Sequence, residues 1–225
     1  RVKALKKAEL NSAVHGLVVH YVLENIFRFH TNKELIEMDE AERRSEIRKY
    51  TDEYVLNQMS GESDPRLDYR LRRIGDTIDV ILRRLIAEFS SCEFETADVE
   101  LNIGKDGEVR EYTLSLPGGG TISLHGIVDR VDVMKSGDEA FVRVIDYKTG
   151  GKDFRLSDVP YGLNLQMLIY LMCLWKNGGD RYGNVVPAGV LYLPAKLGDI
   201  SLGRNAGQEK IDETRINNGR MNGVI

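Results

Sequence analysis

Three residues in the middle of the chain have the types and spacing for metal-dependent hydrolysis: Asp129, Asp146 and Lys148. Carboxylates offer the hard oxygen donors that Mg²⁺ favours. A neighbouring ammonium can stabilise negative charge as it develops. A turn brings the three together. Two runs rich in β-branched residues, Ile127 to Val133 and Phe141 to Lys148, flank Ser136-Gly137-Asp138-Glu139. This is the pattern of a β-hairpin, with Gly137 suited to the first central position of a two-residue turn. If Ser136 pairs with Glu139, Asp129 falls directly opposite Asp146, with Cβ atoms roughly 4.5–5.5 Å apart. Lys148 projects from the same face as Asp146, two residues on. Opposed like charges destabilise a hairpin, and a divalent cation between them reverses the sign. A bulge in so long a hairpin would change this register.

Other elements must hold the hairpin. Residues 3 to 27 read as a long helix, with Val14, Leu17, Val18, Tyr21 and Val22 at helical spacing. His20 lies beside that stripe and Glu24 one turn on. Taken alone, His20 reads as a core-edge histidine or a partner of Glu24. Residues 33 to 59 alternate in charge and read as an exposed helix laced with i,i+4 pairs. Asp64-Pro65 starts a helix that runs to about Phe89. Its apolar stripe is backed by Arg66, Arg70, Arg72, Arg73, Arg83 and Arg84, a solvated face or a track for a DNA backbone. Residues 93 to 103 and 109 to 115 read as strands. Glu100, on the first of them, is either an outward strand residue or a further acid of the site. Gly118-Gly119-Gly120 lacks a following GK[ST], so it is no P-loop. Residues 163 to 176 form a helix that is apolar almost all round and reads as largely buried. Gln166 and Tyr170 share one face of it and need polar partners. Residues 188 to 194 read as a buried strand, and the polar chain from Leu197 onward shows no core periodicity.

The same residues carry a resemblance. Asp129 followed by Asp146-Tyr147-Lys148 resembles the split Asp…(Asp/Glu)-x-Lys signature of the restriction-endonuclease-like superfamily. Gly16-Leu17-Val18-Val19-His20, Gly126-Ile127-Val128-Asp129-Arg130-Val131-Asp132, Ile145 to Gly150, and Gln166-x-x-x-Tyr170 resemble, in order, the motifs of the RecB-type nuclease domain, most closely those of AddB type. The resemblance implies an αβββαβ core, an α/β fold with a central mixed sheet flanked by helices, behind an N-terminal helical region. It implies Mg²⁺ or Mn²⁺ held by Asp129, Asp146, His20 and the carbonyl of Tyr147, with Lys148 catalytic. Glu100 matches a glutamate that related enzymes carry on a preceding strand. Gln166 and Tyr170 match a pair that packs beside the catalytic strand and touches DNA or orients the site. The implied activity is metal-dependent exonucleolytic cleavage of DNA within an ATP-dependent helicase–nuclease of double-strand-break repair, beside an AddA-like partner in the bacterial cytoplasm, at the nucleoid.

Bulk properties fit this reading. The chain has 225 residues, is 42% hydrophobic and 29% charged, and carries a net charge of −4. That suits one domain: a helical region over 1–90, a nuclease core over 93–195 and a polar segment over 196–225. The start at Arg1 fits a fragment of a larger protein. No apolar run reaches the roughly 20 residues of a membrane span. The acidic balance argues against a free-standing, tight nucleic-acid binder and leaves phosphate contacts to a partner. Cys92 and Cys173 stand apart, so no zinc or iron–sulfur site is expected on them. The resemblance to AddB-type nucleases implies an iron–sulfur cluster on cysteines flanking this core in a full-length protein, and none is expected in this chain. Three other readings compete: a CRISPR-associated or phage-type exonuclease, a degenerate nuclease fold used for DNA binding or scaffolding, and a surface Ca²⁺ site.

Overall fold

A computed structural model describes residues 12–59, 65–148, 155–195 and 221–225. Four helices come first: α1 (Ser12–Phe29), α2 (Asn32–Glu37), α3 (Glu40–Gln58) and α4 (Pro65–Phe89). Helix α1 is the described part of the helix expected over 3–27; residues 3 to 11 lie outside the described chain, as does the Asp64 cap of α4. The charged segment 33–59 is two helices rather than one. Asp39 breaks it, accepting from the Glu42 N–H while the Glu42 side chain accepts from the Asp39 N–H, a reciprocal cap that restarts the helix. Nor is α3 only a solvated face. Ile47, Tyr50, Thr51 and Tyr54 recur at helical spacing and are buried against α1 and α4. The surrounding charges hide that stripe from a reading by composition.

The sheet has the order β1-β4-β5-β6-β7, built from β1 (Glu95–Ile103), β4 (Gly126–Ser136), β5 (Glu139–Lys148), β6 (Asn184–Pro194) and β7 (Asn222–Val224). A small hairpin, β2 (Tyr112–Ser115) and β3 (Thr121–Leu124), is inserted between β1 and β4. Strands β5 and β6 pair in parallel, and the crossover that parallel pairing demands is α5 (Leu165–Asn177) followed by the short α6 (Gly179–Tyr182). The other neighbours are antiparallel, so the sheet is mixed. Helix, β1, β4, β5, α5 and β6 give the expected αβββαβ order. Within the polar segment that showed no core periodicity, Asn222–Val224 forms the edge strand β7 on β6. Backbone pairing makes that strand, which side-chain periodicity cannot announce.

Two cores sandwich the sheet. On one side Val18, Val22, Leu23 and Ile26 of α1 and Ile78, Leu82 and Leu85 of α4 pack on Ile145, Tyr147, Leu191 and Leu193. On the other, Met167, Leu171 and Leu174 of α5 pack on Val128, Val142, Val144 and Val190. Helix α5 is not buried all round, as its composition suggested: Trp175 is half exposed, and only one face meets the sheet.

Candidate active site

The central hairpin forms in the expected register. Ser136 pairs with Glu139, and Gly137 has φ +57°, the positive value needed at the first central position of the turn. The ladder continues to Arg130 opposite Ile145 and ends there, one step short of the expected Asp129–Asp146 pair. The cause is a switch of faces. Residues two apart on a strand should share a face. Yet Val128 packs in the α5-side core, while Arg130 lies against Phe27 and Phe89 on the α1–α4 side. On β1, Val99 and Leu101 divide between the two cores in the same way. Between them Glu100 takes φ +49°, a left-handed conformation uncommon for a side-chain-bearing residue and frequent at functional sites. Asp129 and Glu100 sit at these two irregular points, which direct both carboxylates toward α1.

Asp129 is therefore not simply stacked over Asp146. Its Oδ2 accepts from the N–H of Tyr147 at 2.7 Å, anchoring it to β5. His20 of α1 closes the other side. Its Nε2 donates to the Tyr147 carbonyl at 2.9 Å, and its Nδ1 lies 3.6 Å from Asp129 Oδ2. A carbonyl only accepts, so Nε2 carries the hydrogen and Nδ1 is the ring nitrogen that faces the carboxylate. Donor atoms of His20, Glu100 and Asp129 all lie within 4.8 Å of one another. Two carboxylates and an imidazole at these separations could share a cation. Asp146 lies outside that group of three. It is buried, and Lys148 Nζ lies 2.6 Å from its Oδ2, off the hydrogen-bonding direction, so that Oδ2 has no hydrogen-bond partner. Lys148 also lies over the Tyr192 ring, 5.2 Å from its centre.

The electrostatics agree with the geometry. The Asp129 pKa stands at about 6: burial is the largest influence and raises it, His20 lowers it, Asp146 raises it, and the Tyr147 N–H and Lys148 lower it. Glu100 rises to about 7, first through burial and then through the charges of Asp129 and Glu24. Burial is the main reason both carboxylates are raised, with neighbouring acids adding to it. A hard oxygen–imidazole donor set, beside a buried acid oxygen that lacks a hydrogen bond, fits a divalent cation.

Gln166 and Tyr170 pair with each other, Nε2 donating to Oη at 3.0 Å. Tyr170 packs on Gly126, where an added Cβ would come within 2.5 Å of its Oη. This explains the glycine that opens the Gly126-to-Asp132 motif: the α5 motif and the β4 motif are two sides of one contact. No hydrogen bond joins the Gln166–Tyr170 pair to the carboxylates among the described residues. Of the arginines on α4, Arg83 lies 3.4 Å from Asp79 and is partly buried with Arg84, whereas Arg66, Arg70, Arg72 and Arg73 are exposed.

What the sequence reading missed is a buried charge cluster. Arg130 and Asp132 are fully buried; Asp132 also takes Arg143 at 2.9 Å, and Arg143 reaches Glu88 of α4 at 2.8 Å. Charged residues at inward positions of two apolar strands were the available signal.

Fold and site together define a nuclease of the restriction-endonuclease-like type. The chain belongs to the PD-(D/E)XK nuclease superfamily, whose model matches residues 1–216. Its relatives include the B subunits of bacterial ATP-dependent helicase/deoxyribonucleases. It is 33% identical over 224 residues to the one from Acetivibrio thermocellus, covering 93% of this chain and 19% of that protein. The one from Clostridioides difficile is 33% identical over 172 residues, 76% of this chain and 14% of that protein. The one from Symbiobacterium thermophilum is 42% identical over 135 residues, 59% of this chain and 12% of that protein. The chain thus spans less than a fifth of the length of these relatives.

Proposed function

We propose that this chain is a metal-dependent deoxyribonuclease domain that hydrolyses DNA phosphodiesters exonucleolytically. On this reading residues 1 to 225 form one nuclease domain of a longer AddB-type protein, working beside a helicase partner in bacterial double-strand-break repair in the cytoplasm, at the nucleoid. The relatives' names support the helicase and deoxyribonuclease parts. The observation that carries the proposal is the convergence of His20, Glu100 and Asp129 beside the Asp146–Lys148 pair.

Asp129 and Asp146 would hold Mg²⁺ or Mn²⁺, with His20, the Tyr147 carbonyl and Glu100 as further donors. A cation bound there supplies Lewis-acid polarisation of the phosphoryl oxygen and a more acidic water. The chain's own residues do the rest. The Tyr147 backbone orients two groups at once, its N–H holding Asp129 and its carbonyl holding His20. Lys148 places an ammonium where negative charge grows on the phosphate. Glu100 adds a carboxylate oxygen beside that of Asp129. Gln166 and Tyr170 hold the start of β4 through Gly126 and so position the strand bearing Asp129.

The test is cleavage of linear single- and double-stranded DNA with Mg²⁺ or Mn²⁺, run beside Asp146→Ala. Metal-dependent cleavage that disappears in the variant is expected. Cleavage that survives in Asp146→Ala would overturn the assignment of the site.

A further inference from the structure

A cleft of about 510 Å³ opens beside the carboxylates, between α1, α3 and β1. His20 and Glu100 form its inner end, and Leu17, Tyr21, Tyr54 and Gln58 line the rest. Its volume is within the range of small-molecule sites. The walls are mainly apolar. Leu17 is 58% exposed on α1, and Tyr21 meets Tyr54 edge-to-face with ring centres 5.4 Å apart. The α1 wall is one helical stripe: Leu17, His20, Tyr21 and Glu24 recur at spacings of three and four.

We propose that this cleft receives an unpaired nucleobase of the DNA strand, the one adjoining the phosphate at the carboxylate site. The inference rests on the nuclease reading and deepens it by placing a base-binding subsite beside the carboxylates. Three observations select the occupant. The cleft is continuous with the donor set, because His20 and Glu100 belong to both. Away from the carboxylate end the lining offers phosphate no partner: Glu24 is acidic, and Arg28 beside it is tied to Glu24 at 2.6 Å. That part of the cleft suits the uncharged part of a nucleotide. An apolar and aromatic wall with one amide, Gln58, suits a base, whose faces stack on such surfaces irrespective of sequence. A base inside a duplex is paired and stacked and must leave the helix to reach such a pocket. With a net charge of −4 the chain has little general attraction for phosphate, so base contacts carry more of the binding.

Leu17 and Gln58 are exposed and take no part in the chemistry, which makes them clean probes. The experiment is fluorescence anisotropy with the chain in Ca²⁺, comparing a short single-stranded thymidine oligonucleotide with its fully abasic counterpart. The wild-type chain binds the base-bearing strand at least about fivefold more tightly. In Leu17→Ala combined with Gln58→Ala that preference falls severalfold, while affinity for the abasic strand is unchanged. An equal preference in wild type and variant would overturn the proposal, as would no preference at all. Cleavage of DNA in Mg²⁺, measured separately, tests the nuclease reading, so the two can fail independently.

Discussion

Asp129 meets five groups: an imidazole, a backbone N–H, two acids and an ammonium. Its pKa of about 6 and that of Glu100 near 7 stand above the ordinary 3.8 and 4.5. The folded chain therefore holds more protons than the unfolded chain between about pH 4 and 7. Its stability without metal declines as pH rises through that window. The melting temperature of the metal-free chain should be higher at pH 5 than at pH 8, and Mn²⁺ should raise it more at pH 8. A Glu100→Gln variant should melt higher than wild type at pH 8 in chelator, because it removes a buried charge that has no cation. Differential scanning calorimetry checks both, and a lower melting temperature for the variant would contradict the account. Lys148→Ala should reduce kcat by about a hundredfold or more with little change in fold, since its ammonium acts on developing charge.

The strands β1 and β4 position the carboxylates by breaking their own alternation. Asp129 opposite Asp146 follows from an unbroken hairpin; the face switches at Glu100 and Asp129 depend on two cores competing for neighbouring residues, which no single strand displays. The turn, the register from Ser136 to Arg130 and the exit at Lys148 were all legible, because Gly137 and the β-branched runs act locally. The Arg130–Asp132–Arg143 cluster makes its own prediction. Asp132→Asn removes the charge from one buried partner and leaves the Arg130 guanidinium uncompensated, while Arg143 keeps Glu88. The expected cost is about 3–5 kcal/mol in urea unfolding, and a change below about 1 kcal/mol would contradict the buried pairing. Gly126→Ala should displace Tyr170 and lower both stability and activity, whereas Gly126→Ala combined with Tyr170→Ala should recover part of the stability lost.

At the scale of the whole molecule, order along the chain was the most legible feature. Periodic helices, a hairpin and a greasy crossover helix determine a mixed sheet with helices on both faces. Less legible was what covers what. The Ile47–Tyr54 stripe lay under dense charge, the exposed side of α5 was composed like a core, and β7 had no side-chain pattern. His20 reaches the site only because α1 packs across the sheet beside Tyr147, a contact 127 residues apart in sequence. Among the described residues no helix is long and apolar enough to cross a membrane. The central claim is that this long-range convergence makes a cation site, and a calorimetric Mn²⁺ titration of wild type against Asp129→Asn tests it most directly. The wild-type chain should bind Mn²⁺, and the variant should bind it at least about tenfold more weakly. Equal affinity in the two, or no binding by wild type, would contradict it.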